Sequence, residues 1–211
     1  MSKYDFDTGY SGNSTPVLIP GEQVLWSGKP KKNAFIINKI VGLMPIALIW
    51  LALDGFIIYN AMSAMSRNMM FMIPFFALHL MPVWLWLSNV LTANRRWKNT
   101  MYYVTDRRIL IQSGFIGQEL QTVYYKEIRN VNLKFGLIDR LLHVGDIHFD
   151  LGQYQYQGKT RVNSRVFLDI AEPQALYTRI QKIILDMQAD MEFPNAYRPE
   201  ANPGYHTRYE G

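Results

Sequence analysis

The sequence predicts an α+β membrane protein: a two-helix transmembrane hairpin joined to a small bent sheet or partial barrel that a C-terminal α-helix caps. Three observations carry this. Residues 40–91 hold two apolar runs of about 20 residues, each long enough at 1.5 Å per residue for a hydrocarbon core of about 30 Å. Residues 101–170 break into short β-favouring stretches separated by turn residues. Beyond Pro173, apolar residues recur at three- and four-residue spacing.

Taken in order, residues 1–20 are rich in Ser, Gly, Asp and Tyr without periodicity and predict a disordered tail. Residues 21–39 form a leader, with a short strand around Val24 to Trp26 and a basic juxtamembrane stretch. The spans follow at about 40–59 and 69–91, linked by a polar break. Each is apolar on every side, which suits lipid better than one face of a core, and so short a chain has little protein with which to bury such a pair. Gly42, Pro45, Pro74 and Pro82 are tolerable there if neighbouring groups meet the freed carbonyls. Lys29, Lys31, Lys32 and Lys39 precede the first span, and Arg95, Arg96 and Lys98 follow the second, whereas the linker carries Arg67 alone. That asymmetry places both termini in the cytoplasm of a two-span protein of the inner membrane, with Trp97 and Trp86 at the inner belt and Tyr59 at the outer one.

Residues 99–191 make the cytoplasmic domain. Strands are expected at Tyr102–Thr105, Arg108–Gln112, Leu120–Tyr125, Ile128–Leu133, Gly145–Leu151 and Arg165–Ile170. Gly136 to His143 predicts one or two helical turns, with Leu137, Ile138, Leu141 and Leu142 on a buried side. Gly152 to Asn163 predicts a polar, Gln-rich hairpin or loop. Pro173 fits a first helical position, and Leu176, Ile180, Ile183, Ile184, Met187 and Met191 form one apolar stripe. Residues 192–211, with three prolines, predict a second disordered tail, whose Tyr197-Arg198 and Tyr205 to Tyr209 are an alternative partner or membrane contact.

Composition narrows the function. The 211 residues leave room for one modest soluble domain beside the hairpin. With no cysteine, disulfides, thiol catalysis and cysteine-ligated zinc are excluded. The net charge of +5 lies largely beside the membrane, where Lys29, Lys31, Lys32, Arg95, Arg96 and Lys98 are candidates for contact with anionic headgroups. No basic face on the soluble part suggests nucleic acid. The first 20 residues lack an apolar core, so the first span is expected to direct insertion.

Tyr103-Val-Thr-Asp-Arg-Arg-Ile109, Gly114, the Ile128/Val131 pair, Gly145-Asp146-Ile147 and Phe167 to Pro173 resemble the membrane-bound bacterial pleckstrin-homology-like domain family. The leader Gly21-Glu22 with Trp26 and Pro30, ahead of two spans, is similar to that family's usual start, so the likeness covers about Gly21 to Asp186. The Thr105-Asp106-Arg107-Arg108 signature is its most specific part. What the resemblance implies is a seven-stranded, strongly bent sheet capped by a helix and facing the cytoplasm. It implies an interaction or oligomerisation module, not an enzyme, without cofactor or metal. Its partner would be itself or another membrane protein, and some relatives are suspected of roles in envelope stress or antimicrobial tolerance. Phosphoinositide binding does not carry over, because the first turn offers only Asp106, Arg107 and Arg108. Asp106 is expected to cap that turn and hold a neighbouring guanidinium.

Two constellations remain as candidate chemistry. Asp54 stands inside the first span, where a carboxylate costs about 2.5–3.5 kcal/mol on insertion scales. Folding back near Met65 puts Asp54 opposite Phe76, so His79 lies roughly 5 Å deeper and within reach. An intramembrane Asp54–His79 pair would suit a transport or sensing component; the plainer expectation is an Asp54 close enough to the outer surface to meet water, near Arg67. Asp146, His148 and Asp150 share one strand face at a spacing that suits a divalent ion, but the same alternation is what a half-solvated strand requires, and that plainer account is preferred. No phosphate loop, Ser–His–Asp arrangement or paired helical acids stand out, so no catalytic residue is assigned.

Overall fold

The computed structural model describes residues 17–63 and 72–192. Phe35–Lys98 forms one compact unit, and the segments up to Ala34 and from Asn99 fold together as the other. The expected tails, Arg67 and most of the linker between the spans lie outside the described residues.

The helical unit is dominated by α1, Lys32–Ser63. It starts eight residues before the expected span, because nothing between Lys32 and Val41 interrupts the backbone ladder; Lys32 and Lys39 are therefore helical, not part of an irregular leader. Its stretch Lys32–Asn60 is long and apolar enough to cross a membrane, the one such helix among the described residues. The second apolar run differs from the continuous span expected over 69–91. It divides into α2, Met72–His79, and α3, Met81–Lys98. Pro82 is the physical reason: it lacks the N–H that the Leu78 carbonyl would accept, and its ring crowds that carbonyl. The Trp84 indole N–H meets another carbonyl at the break, that of Ala77, at 3.0 Å. The Trp86 indole donates to the Ile40 carbonyl of α1 at 3.0 Å, five residues before Pro45.

This unit is built inside out. Ile46, Leu48, Ile49, Leu51, Leu53 and Phe56 of α1 are all at least half exposed, as are Leu78, Trp84, Leu85 and Leu91 beyond it, whereas Asp54 is 1% exposed. A protein surface in water does not present so large a contiguous apolar area without a partner.

The other unit holds seven strands in two antiparallel sheets. β1 (Val24–Gly28), β2 (Met101–Thr105), β3 (Arg108–Ser113) and β4 (Glu119–Tyr124) form the first, in sequence order. β5 (Asn130–Lys134), β6 (Val144–Tyr156) and β7 (Lys159–Ala171) form the second. A 3-10 turn at Tyr125–Glu127 joins them, and α4 (Leu137–Leu142) bridges β5 and β6. The leader strand is thus a full member of the first sheet, paired from Val24 opposite Thr105 to Gly28 opposite Tyr102. Of the two expectations for the Gln-rich stretch, hairpin or loop, the structure shows the hairpin: β6 and β7 run 13 residues each, turning at Gln157-Gly158, both with positive φ (51° and 73°). Two left-handed residues in a two-residue turn match the strands' own twist.

α5, Pro173–Glu192, lays the stripe Leu176, Ile180, Ile183, Ile184 and Met187 into the core. Phe167 is the hub. It stacks on Tyr102 at 4.5 Å and on Trp26 at 6.0 Å, and meets Phe149 edge-on at 5.0 Å, so both sheets share one core. The Tyr102 hydroxyl accepts the Leu168 N–H at 3.1 Å, and burial raises its pKa well above the ordinary phenol range. α4 departs from expectation: Leu137 and Leu141 face outward instead of forming a buried side. The buried member of that helix is Asp139, whose Oδ2 accepts the Gly136 N–H at 2.7 Å.

Candidate functional site

α1 and α2 bring Asp54 and His79 together. His79 Nδ1 lies 2.7 Å from Asp54 Oδ1, a hydrogen-bond distance between the two side chains. The imidazole is also held by rings, stacked on Phe75 at 5.3 Å and tilted against Trp50 at 5.7 Å. Trp50 stands one turn before Asp54, so both project from one side of α1. The expectation that Asp54 reaches water does not describe this arrangement, since the carboxylate is enclosed. Two polar atoms of the cluster, Asp54 Oδ2 and Trp50 Nε1, are buried with no hydrogen-bond partner among the described residues. An unmet acceptor and an unmet donor are together complementary to a water molecule or to a hydroxyl or amide group. Asp54 lies about 7 Å from the middle of the apolar run.

In the sheet unit, Glu22 and Arg108 form a buried ion pair. Glu22 Oε1 accepts Arg108 Nε at 2.9 Å and the Thr105 hydroxyl at 2.7 Å, while Oε2 accepts Arg108 Nη2 at 2.9 Å and the Ile19 N–H at 2.7 Å. Thr105 Oγ1 in turn accepts the N–H groups of Arg107 and Arg108 at 3.2 and 2.9 Å, closing the β2–β3 turn, and its carbonyl takes the Tyr125 hydroxyl at 2.6 Å. Burial alone would push the Glu22 carboxyl up; Arg108, the Ile19 amide and Thr105 outweigh it and hold the group below the usual carboxylate range. The expectation for Asp106 is corrected here. Its Oδ1 accepts the Gln23 N–H at 2.8 Å and its own N–H donates to the Gln23 carbonyl at 3.0 Å, so it fastens the leader, and the acid that grips a guanidinium is Glu22. The turn consequently presents Arg107 but not Arg108. Gly21 bends the leader at a φ of 80°.

Asp146, His148 and Asp150 sit half buried along β6. Asp146 Oδ1 accepts the Asp169 N–H of the neighbouring strand β7 at 2.8 Å and Asp150 Oδ1 accepts the Gly152 N–H of its own strand at 2.9 Å, so both acids are engaged by backbone amides of the sheet. Burial raises the Asp146 pKa despite that amide, and lowers the His148 pKa. Among the described residues no three His, Asp or Glu side chains converge on a metal geometry. Gly145 is required by contact: a Cβ there would come within 2.9 Å of the Phe135 ring and 3.0 Å of Pro173.

The headgroup candidates divide between the units. Arg95, Arg96 and Lys98 are exposed in the last turn of α3. Lys29, Lys31 and Lys32 belong to the sheet unit. Lys31 is spent on structure: its N–H donates to the Asp169 carbonyl at 2.8 Å and its ammonium to the Leu142 carbonyl at 2.9 Å. One polar stretch expected as a hairpin or loop was assigned no contact role from the sequence. The outer half of the β6–β7 hairpin, Gln153 to Val162, is exposed on both faces and displays Tyr154, Tyr156 and Arg161, with Arg161 lying over the Tyr156 ring at 5.4 Å. Tyr and Arg are the residue types that dominate protein–protein contacts, and their recurrence here was the available signal.

Comparison with known families gives a match to the family described as "Bacterial PH domain" over residues 35–184, so the matched span takes in the helical unit and most of the sheet unit but not the leader that carries Glu22 and β1. No curated protein and no solved structure matches.

Proposed function

Because this chain belongs to the bacterial PH domain family, whose domains are generally non-catalytic binding modules, we propose that it is a non-enzymatic, two-span protein of the inner membrane presenting its PH-like domain in the cytoplasm as a protein-interaction and oligomerisation module. The observation that carries this reading is the inverted helical unit: apolar side chains outside, a carboxylate inside. Lipid is the surrounding that suits both halves of that pattern. The break at Leu80 is compatible with a second crossing, since α2 and α3 together contain 26 residues, 8 and 18, and an interrupted helix can still cross where neighbouring groups meet its carbonyls. Tethering then concentrates the exposed Tyr154, Tyr156 and Arg161 near the bilayer, so weak contacts with a second copy or another membrane protein become effective. Envelope stress or antimicrobial tolerance is the setting that fits such a module.

Crosslinking in intact membranes followed by mass spectrometry tests this. Crosslinks between copies, or to one membrane protein, through residues 153–162 are the expected outcome. A chain that crosslinks to nothing at native abundance contradicts it.

The Asp54–His79 contact favours a second reading, a small transport or sensing component that holds a proton inside the membrane. In reconstituted vesicles this reading requires a proton flux that Asp54→Asn abolishes. Equal flux in both proteins, or none in either, counts against it.

A further inference from the structure

α4 carries its apolar side where a water-facing helix carries polar residues. Leu137 and Leu141 are 89% and 78% exposed, one turn apart on one face, and Phe135 just ahead of them is 37% exposed. The charges exposed within residues 134–143 are the cations Lys134 and Arg140, while the segment's acid, Asp139, is buried on the Gly136 amide. An exposed leucine pair rimmed by cations is the pattern of a helix lying in a membrane interface. The position of α4 supplies the second argument. The Lys31 ammonium donates to the Leu142 carbonyl at 2.9 Å and so caps the C-terminal end of α4. Lys31 immediately precedes Lys32, where the membrane-length helix α1 begins. The chain therefore enters α1 from a point bonded directly to α4.

We propose that α4 is a second bilayer contact, with Leu137 and Leu141 sunk into the boundary between headgroups and acyl chains and Lys134 and Arg140 against anionic headgroups. This rests on the membrane reading of α1. A lipid surface is the occupant because the Lys31 bond ties α4 to the start of α1, and because the charges exposed on the segment itself, with Glu172 the exposed acid across the hollow beside Arg140, are of the sign that anionic lipid attracts. The domain would then be held by its covalent linker and by α4, which restricts its rotation and fixes which of its faces meets partners.

The absence of cysteine makes a clean test available. Single cysteines replace Leu137, Leu141, Leu48 or Thr160 in the full-length protein, which is labelled with a fluorophore and placed in nanodiscs of anionic lipid. Nitroxide lipids then quench at either a shallow or a deep position. Labels at 137 and 141 are expected to lose emission with the shallow nitroxide, and the label at 48 with the deep one, while the label at 160, in the exposed β6–β7 hairpin, keeps its emission. If 48 is quenched but 137 and 141 behave like 160, the α4 contact is overturned and the membrane reading survives. If 160 is quenched as strongly as 137 and 141, the contact is not specific to α4 and the proposal fails. An unquenched 48 removes the premise and the proposal with it.

Discussion

Glu22 and Arg108 are 86 positions apart and share two hydrogen bonds of 2.9 Å in an enclosed site. Removing one partner of such a pair leaves the other buried without a counter-charge, so Glu22→Gln is expected to destabilise the sheet unit by about 3–5 kcal/mol in denaturant melts of the purified chain. The pH dependence has a definite sign. The folded pKa of Glu22 lies below its ordinary value of 4.5, so its contribution is fully present above pH 4.5 and is lost as pH falls through the depressed folded value. Glu22→Gln should therefore flatten the acid limb of the stability profile, measured as melting temperature against pH. An unchanged limb would assign that dependence to other groups. Both residues stood in recognisable motifs, but their partnership was not legible: it is created by the pairing of β1 with β2, and the sequence offered Asp106, one or two residues away, as the nearer acid for an arginine. Asp54 and His79 were legible as an alternative only: counting residues put His79 about one turn from the level of Asp54, within reach, while an Asp54 open to water was the preferred expectation. What counting did not reveal was that the carboxylate would be enclosed by Trp50 and the imidazole, with its second oxygen unmet.

At the scale of elements, the core depends on a single strand position. Phe167 touches rings from β1, β2 and β6, so Phe167→Ala removes contacts between the two sheets at once. The expected cost is about 3–5 kcal/mol, read as a lower denaturation midpoint with loss of protection from hydrogen exchange in both sheets. Loss confined to β6 and β7 would show that the sheets do not share a core. Periodicity revealed those elements that have one wet and one dry face. β6 was legible through Ile147, Phe149 and Leu151, and α5 through Leu176 to Met187. It left the choice open where that contrast vanishes: Gln153 to Val162 is exposed on both faces, so no alternation decides between hairpin and loop. It failed at α4, where apolar spacing indicated a helix but not which way the apolar side would point. The second span looked continuous because hydropathy averages across Pro82, whereas the backbone does not.

At the scale of the whole chain, two kinds of surface coexist. One unit hides its acid and shows its aliphatic side chains; the other buries Phe167, Phe149 and Ile180 and shows charge. A single solvent does not suit both. The proposed function accordingly has the apolar stretches of Phe35–Lys98 in the bilayer and the sheets in water, and it expects both ends of the helical unit on the cytoplasmic side. Side-specific labelling in intact cells tests this most directly, with single cysteines at Ser66, in the linker between the apolar runs, and at Thr160. An impermeant maleimide is expected to label position 66 from outside and position 160 only after permeabilisation. Labelling of position 160 in intact cells, or of position 66 only after they are opened, would contradict it.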